Sequence, residues 1–320
     1  MAGRGLANFN GSVLEINRKN KRGRMVSTSS ASSDRDGRRL EELGDSSEVV
    51  GSDIRVSVVV PALNEAANLP HVLTRIPSFV DEVVLVDGRS TDDTVGVART
   101  VRPDIRVVMQ SGVGKGNALA CGFAAATGDI IVMLDADCST APEEIPLFLD
   151  ALMSGVDFAK GSRFLAGGGS SDLTWLRTTG NAFLCGAANV LFRTRYTDLC
   201  YGYNAFWRRC LPHMSVSCNG FEVEAHINLR VARSGLRVAE VPSREQARLY
   251  GVSNLRPLRD GVRVLRTIIR ERLRRTTTPG ELDGWRPVFQ EFPVGRGDIA
   301  DTLISKPADS GADLVPGCPR

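Results

Sequence analysis

The chain has 320 residues, of which 42% are hydrophobic, so it can bury the core of one large domain or two smaller ones. Seven cysteines, an odd number without disulfide or zinc spacing, exclude a disulfide framework and predict a reducing cytoplasm. The sequence has no apolar run of about 18 residues, the length of a transmembrane helix, and no signal-peptide pattern. We therefore expect a cytoplasmic protein whose membrane association, if it has one, is peripheral.

The first half of the chain alternates apolar runs with helical segments. Residues 1–52 are rich in Ser, Gly, Arg and Asp and predict a disordered tail. Buried strands are then predicted over residues 55–60, 81–87, 105–110, 130–134 and 156–164. Helices are predicted between the strands, with Asn64 and Ser90 as the N-caps of the first two and Pro142 in the first turn of the fourth. This alternation predicts an α/β fold, a Rossmann-like, mostly parallel sheet with helices on both faces.

The second half is less regular. Helices are predicted over residues 173–192, 220–235 and 257–275, with a strand-like segment after Gly235 and a loose tail over residues 276–320. Residues 229–275 contain 13 arginines, no lysine and four acidic residues. This strongly basic segment is not interleaved with aromatic residues, which disfavours a nucleic-acid-binding protein.

Two carboxylates, Asp135 and Asp137, follow the apolar run 130–134 at the end of a predicted buried strand. Ligands of open α/β sheets bind at the carboxyl ends of the strands. Two neighbouring carboxylates would repel each other unless a positive charge lies between them, and Mg²⁺ is commonly held by carboxylates together with phosphate oxygens. The alternative is an ordinary turn, because Asp and Ser are common turn residues.

A glycine-rich segment, GVGKGN, covers residues 112–117 and precedes a predicted helix. Such turns can bind phosphates. It is not a Walker A motif, because Gly116 follows Lys115 and Met109 stands at the position of the first glycine. A flexible turn with a solvated lysine is the alternative.

Four motifs follow successive strands in the order VSVVVPALNEAANL, VDGRSTDDT, GKGNAL and GDIIVMLDAD. Together they resemble the family 2 nucleotide-sugar glycosyltransferases with the GT-A fold. The downstream segments KGSRF, TDLCYGYNAF, GFEVEAHI and RLYGVSNLRPLRDG resemble the branch of dolichyl- and polyprenyl-phosphate hexosyltransferases. The resemblance covers about residues 54–275. It implies a GT-A domain over residues 53–275, with a nucleotide-sugar half (53–140) and an acceptor half (141–275).

The resemblance also implies the donor site. The expected donor-binding residues are Pro61, Ala62, Asn64, Glu65, Asp87, Lys115 and Asp135. Asp135 and Asp137 resemble the family's DxD pair and would hold a divalent cation, Mg²⁺ or Mn²⁺, with Asp137 as the direct and catalytic ligand. The cation would bridge the diphosphate of the nucleotide-sugar donor.

The acceptor site implied by the resemblance consists of Arg163, Arg248, Tyr250 and Ser253. Arg248 could clamp a lipid phosphate, whereas Arg163 could equally be a surface residue. Glu222 and Glu224 are candidates for a catalytic base if the acceptor is an alcohol. Both also lie at a predicted helix start, where the helix dipole alone favours carboxylates.

The last predicted helix has two parallel stripes. The apolar stripe is Leu258, Val262, Leu265, Ile269 and Leu273, and the basic stripe is Arg259, Arg263, Arg266, Arg270 and Arg274. A basic amphipathic helix suits an anionic membrane surface. The alternative is a surface helix that packs its apolar stripe against the sheet.

Three motifs depart from the family pattern. The family's DDGS is here Asp87, Gly88, Arg89 and Ser90, so the second Asp is missing, while Asn204 replaces an Arg and Asn254 replaces a Lys. The last two changes weaken the expectation of a lipid-phosphate acceptor but do not affect the donor half. We expect an inverting hexosyltransferase that uses UDP- or GDP-sugar and polyprenyl phosphate at the cytoplasmic membrane face. A soluble acceptor and a non-catalytic nucleotide-sugar or membrane-binding protein are the alternatives.

Overall fold

The computed structural model describes residues 54–252 and 255–274. Strands β1 to β9 span Val56–Ala62, Glu82–Asp87, Arg106–Met109, Ile130–Met133, Phe158–Ser162, Gly169–Ser170, Asn204–Trp207, Val238–Pro242 and Arg244–Glu245. Helices α1 to α8 span Leu69–Leu73, Thr94–Val101, Gly114–Ala125, Ile145–Met153, Trp175–Phe192, Leu211–Met214, Val223–Arg233 and Pro257–Leu273. The predicted tails and Ser253 lie outside the described residues, so the predictions about them stay predictions, as does the division into two halves.

Seven strands form one sheet in the order β3-β2-β1-β4-β7-β5-β8. All neighbouring strands are parallel except β7, which runs antiparallel to both β4 and β5. Strands β6 and β9 form a separate two-stranded parallel pair. The predicted mostly parallel α/β sheet is therefore confirmed, although the sequence did not indicate the direction of β7.

Apolar side chains pack on both faces of the sheet, because its central strands are buried on both sides. On one face, Val58 and Val60 of β1 meet Phe148 of α4, together with side chains of α1 and α2. On the other face, Val59 meets Phe123 of α3, and α5, α7 and α8 complete this layer. The loops at the carboxyl ends of β1, β2 and β4 are thus fixed between two packed layers.

The two predicted N-caps, Asn64 and Ser90, are wrong. Helix α1 begins only at Leu69, and Asn64 adopts a left-handed backbone with φ of 57°. The side-chain oxygen of Asn64 accepts the Thr91 backbone N–H at 2.7 Å, and the Ser90 hydroxyl accepts the Asn64 backbone N–H at 2.9 Å. Both side chains therefore tie the loop after β1 to the loop after β2 instead of starting helices.

Helix α8 packs on α5 and α7 through Val264, Thr267 and Ile268. Four members of its predicted apolar stripe, Leu258, Val262, Ile269 and Leu273, are exposed instead of packing on the protein. None of the described helices is long and apolar enough to cross a membrane.

Candidate active site

A groove of about 940 Å³ opens at the carboxyl ends of β1 and β4. One end is charged and contains Lys115, Asp135, Asp137 and Glu224. The part between α5 and α8 is lined by the apolar side chains of Leu176, Phe183, Leu184, Leu258, Val262 and Leu265, together with Arg177, Arg259 and Arg263 of the same two helices. Concave sites with a few convergent polar groups are the usual form of a ligand site.

Lys115 joins the two acidic residues at the charged end. Its Nζ lies 2.7 Å from Asp135 Oδ1 and 2.9 Å from Glu224 Oε1. Burial alone would lower the pKa of Lys115, but the attraction of the two carboxylates is stronger and raises it above its usual value. Burial raises the pKa of Glu224, although Lys115 opposes that shift. The predicted alternative of a solvated lysine is therefore wrong.

Glycines allow this cluster to close. A Cβ at Gly114 or Gly116 would collide with the carbonyl oxygen of Asn219 or Cys218, and the Gly116 backbone N–H donates to Asn219 O at 3.1 Å. Gly114 also has a φ of +85°, a conformation that glycine adopts readily. The start of α3, which carries Lys115, can therefore pack directly on the segment that leads to Glu224.

Arg248, a predicted acceptor residue, contacts two carboxylates of the groove. Its Nη2 is 2.8 Å from Asp137 Oδ2 and its Nη1 is 2.9 Å from Glu65 Oε1. Asp137 Oδ1 also accepts the Ser139 backbone N–H at 3.0 Å. Burial raises the pKa of Glu65 against the opposing effects of hydrogen bonds from Asn68 and Arg248. The structure thus brings a predicted acceptor residue into contact with two predicted donor-side residues.

The segment that carries Arg248 runs over the loop after β4. The Leu249 backbone N–H points to Asp137 O at 3.4 Å, and the Tyr250 backbone N–H donates to Asn68 Oδ1 at 3.0 Å. The side chain of Tyr250, a predicted acceptor residue, is half exposed, and its ring lies beside His71. The position of Tyr250 is thus set mainly by its backbone.

The predicted nucleoside residues fall into two groups. Pro61, Ala62 and Glu65 line the groove. Asn64 and Asp87 stabilise the loops behind it, since the Asp87 carboxylate accepts the backbone N–H groups of the turn that follows β2. Gln110 also lines this wall, and no motif in the sequence singled it out.

Arg163 lies in the groove wall but is already paired. It makes two hydrogen bonds to Asp198, at 2.7 and 3.0 Å, and its Nη1 is 3.1 Å from Glu245. Burial would lower the pKa of Arg163, but hydrogen bonds to Asp198 outweigh it and raise the pKa above its usual value. A phosphate at Arg163 would therefore compete with two carboxylates.

Glu222 and Glu224, the two predicted base candidates, have different surroundings. Glu224 is buried against Lys115, whereas Glu222 accepts only the Gly220 backbone N–H at 3.3 Å through its Oε1. The other oxygen of Glu222 is buried without a hydrogen-bond partner among the described residues. Of the two carboxylates, Glu222 is thus the one with an unused acceptor atom.

The carboxylates of this site suit a divalent cation that is bound together with a phosphorylated ligand. Among the described residues, no group of three or more His, Cys, Asp or Glu side chains could hold a metal on its own. Mg²⁺, however, usually takes one or two protein carboxylates and completes its shell with phosphate oxygens and water. Asp135 and Asp137, which are both partly accessible from the groove, fit that arrangement.

Comparison with known proteins gives the following similarities. Residues 57–229 match the profile of glycosyl transferase family 2. Polyprenol monophosphomannose synthase of Mycolicibacterium smegmatis is 31% identical over 232 residues, which cover 68% of this chain and 88% of that protein. Undecaprenyl-phosphate mannosyltransferase of Micrococcus luteus is 29% identical, over 63% of this chain and 88% of that protein.

Among solved structures, glucosyl-3-phosphoglycerate synthase from Mycobacterium tuberculosis superposes with a TM-score of 0.56 and 26% sequence identity. The similarity covers 70% of this chain and 80% of that chain. That structure is a complex with Mn²⁺, uridine diphosphate and phosphoglyceric acid.

Proposed function

Since this chain belongs to glycosyl transferase family 2 and is a hexosyltransferase, we propose that it moves a hexose from a UDP- or GDP-sugar to a polyprenyl phosphate. The reaction inverts the anomeric carbon and depends on a divalent cation. The GT-A fold and the family resemblance predicted from the motifs are both confirmed. The observation that carries the proposal is the groove, because its charged residues suit a phosphate bound together with a cation, and the apolar residues of α5 and α8 that line it suit an isoprenoid chain.

In the proposed donor complex, the nucleoside lies against Pro61 and Ala62, next to Glu65. The loop that carries these residues is tied to the loop after β2 by two hydrogen bonds of Asn64, which hold the two walls of the proposed nucleoside pocket together. Asp87 contributes by fixing the turn after β2, and direct contact of its carboxylate with the base or ribose stays a prediction.

The diphosphate of the donor would lie at Asp137, and Asp135 and Asp137 would hold the cation. A bound divalent cation stabilises the negative charge that develops on the leaving diphosphate. Lys115 keeps Asp135 and Glu224 together at the edge of this site and balances their charge. Because the pKa of Lys115 is raised, the lysine remains charged at neutral pH.

The acceptor phosphate oxygen attacks the anomeric carbon while the bond to the donor diphosphate breaks. A phosphate monoester already carries negative charge at neutral pH, so the attack needs no general base. Glu222 and Glu224 would act as base only with an alcohol acceptor. The proposed acceptor residues remain Arg248, Tyr250, Ser253 and Arg163. Arg248 is the most direct candidate, because it already contacts Asp137.

A membrane lipid as acceptor implies that the protein works at the inner face of the plasma membrane as a peripheral protein. Support comes from two relatives whose names describe polyprenol or undecaprenyl phosphate mannosyl transfer. The arginines on the exposed side of α8 also support contact with an anionic surface.

A soluble phosphorylated acceptor is the second candidate. Arg256, Arg259 and Arg263 at the start of α8 line the groove and would suit a small anionic molecule. The similar mycobacterial synthase was solved with phosphoglyceric acid bound. A non-catalytic binding protein is not retained, because the chain belongs to a family of transferases.

The test is a transfer assay with radiolabelled UDP-glucose and GDP-mannose, Mn²⁺, and either polyprenyl phosphate in vesicles or phosphoglyceric acid in solution. EDTA-sensitive label in the organic phase is the expected result. Label that appears only in the soluble phosphorylated acceptor would overturn the lipid acceptor while the donor site stands. Full activity in EDTA would overturn the cation site.

A further inference from the structure

Helix α5 has an outward face without charge. Its exposed apolar residues are Trp175 (79% exposed), Phe183 (63%) and Val190 (80%), with Leu176 and Leu191 beside them. At about 100° per residue, the first three and Leu176 fall within one arc of about 100°. The single charged residue of α5, Arg177, is paired with Asp172 at 2.6 Å. The outward face of a surface helix is normally polar, so an apolar face that the described residues leave exposed is a candidate binding surface.

Helix α8 continues this apolar face. Leu258 (76% exposed), Val262, Ile269 and Leu273 fall within an arc of about 60° on its outer side. Exposed arginines lie on both sides of this arc, Arg259, Arg266 and Arg270 on one side and Arg272 on the other. An apolar stripe between two rows of cations is typical of helices that lie in the interface of an anionic bilayer.

The two helices pack side by side, and their exposed residues line the same groove. The residues of these faces that line the groove include Leu176 and Phe183 of α5 and Leu258 and Val262 of α8. A surface that binds a bilayer here would therefore place the mouth of the groove at the lipid headgroups.

We propose that the outer faces of α5 and α8 form a docking platform that inserts Trp175, Val190 and Leu273 into an anionic lipid bilayer. This proposal extends the proposed function and rests on it, because a bilayer would supply the lipid acceptor. Binding of the protein to a bilayer can nevertheless be measured without any transfer reaction. A second copy of the chain fits this surface less well, because a symmetric contact would bring the two arginine rims together.

Binding of the full chain to vesicles, without donor or metal, tests the platform. We expect binding to vesicles of phosphatidylcholine mixed with phosphatidylglycerol, and much weaker binding to phosphatidylcholine alone. Val190→Asp and Leu273→Asp should each weaken binding about tenfold, and Arg266→Gln about fivefold. Leu147→Asp is the matched control, because Leu147 is exposed on α4 on the opposite face of the sheet.

Tryptophan fluorescence gives a second readout. The emission should shift to shorter wavelength on anionic vesicles, and Trp175→Phe should remove most of the shift although two other tryptophans remain. Absence of vesicle binding, or equal losses in Leu147→Asp and Val190→Asp, would overturn the platform. So would a dimer in solution that Val190→Asp dissociates while vesicle binding is lacking.

The docking platform and the lipid acceptor are two hypotheses that can be refuted independently. Vesicle binding that follows this variant pattern supports the platform even if no lipid receives label. Transfer to polyprenyl phosphate in detergent by a chain that binds no vesicles would overturn the platform and leave the acceptor in place.

Discussion

The guanidinium of Arg248 contacts the carboxylate of Asp137, with 2.8 Å between Nη2 and Oδ2, although the two residues are 111 positions apart in the chain. Asp137 is the proposed cation ligand, and Arg248 was expected at the acceptor. The contact therefore places a proposed acceptor residue directly against a proposed cation ligand.

This contact predicts that Arg248 competes with cations for Asp137. Arg248→Ala should strengthen Mn²⁺ binding about fivefold in the presence of the nucleoside diphosphate. The reason is that the guanidinium no longer pairs with Asp137 Oδ2, which is then free to bind the cation. It should also raise the KM for the acceptor. Titration followed by electron paramagnetic resonance measures the first effect, with Arg244→Ala on the same segment as control. Weaker Mn²⁺ binding in Arg248→Ala would contradict the competition.

Loss of either DxD carboxylate should abolish transfer. Asp135→Asn and Asp137→Asn should each lower kcat at least about 100-fold, because charge on the leaving diphosphate would no longer be stabilised. Both should leave the circular dichroism spectrum unchanged. Asp104→Asn, an exposed carboxylate away from the groove, serves as control. Activity near that of the wild type in either DxD variant would refute the cation site.

Lys115→Met should destabilise the protein by about 3 kcal/mol, because it leaves the buried Glu224 and the partly buried Asp135 without their cation. Adding Glu224→Gln should recover part of this loss, since one of the two orphaned charges disappears. Urea unfolding at neutral pH measures the free energy of both variants. A double variant less stable than the sum of the two single losses would contradict this electrostatic explanation.

Gly202→Ala should lower activity strongly. A Cβ at this position would lie 2.9 Å from Lys115 Nζ and 3.2 Å from Asp135 Oδ2, so both charged groups would have to move. Gly186→Ala in α5 is the matched control, because a Cβ there meets no atom within 4 Å. The control should keep its activity and gain about 0.5–1 kcal/mol of stability. Equal activities of the two variants would show that the cluster tolerates displacement.

Glu82 makes the free energy of unfolding depend on pH in the acidic range. Burial would raise its pKa, but hydrogen bonds from Ser57, Thr127 and Arg106 outweigh it and lower the pKa below 4.5. Its contribution is therefore fully present above about pH 4.5 and is lost as the pH falls through the lower pKa of the folded state. Glu82→Gln should cost about 1–2 kcal/mol at pH 7 and much less near pH 3.

Urea unfolding of Glu82→Gln and wild type at both pH values measures this difference. Arg99→Gln on α2, an exposed residue, is the control. If the difference in the free energy of unfolding between wild type and Glu82→Gln did not depend on pH, the ionised carboxylate would not be the group that stabilises the contacts with Ser57, Thr127 and Arg106.

The sequence predicted the strands of the parallel sheet because these depend on local patterns. The run 130–134 is apolar in every position, and β4 is buried throughout. The motifs also single out Lys115, Asp135 and Glu224, but in separate proposed roles. Their direct contact could not be predicted, because it depends on how three elements pack.

The misplaced N-caps and the partners of Arg163 have a common physical cause. Asn64 has the right residue type for a cap, but its hydrogen bonds go to another loop, 27 positions away. Arg163 finds Asp198 and Glu245 at separations of 35 and 82 positions. Short polar motifs do not contain this long-range information. The sequence therefore singles out candidate residues, but it does not indicate which residues they contact.

Strand β7 has a consequence for how the protein can be assembled. It is the only described strand that pairs with both β4 and β5, and it comes from a segment beyond residue 200. The β4 edge thus stays open until a late part of the chain has been synthesised and has inserted between two earlier strands. Such nonlocal pairing slows folding. We expect that cutting the chain between residues 140 and 204 yields fragments that are prone to aggregate and that need each other to fold.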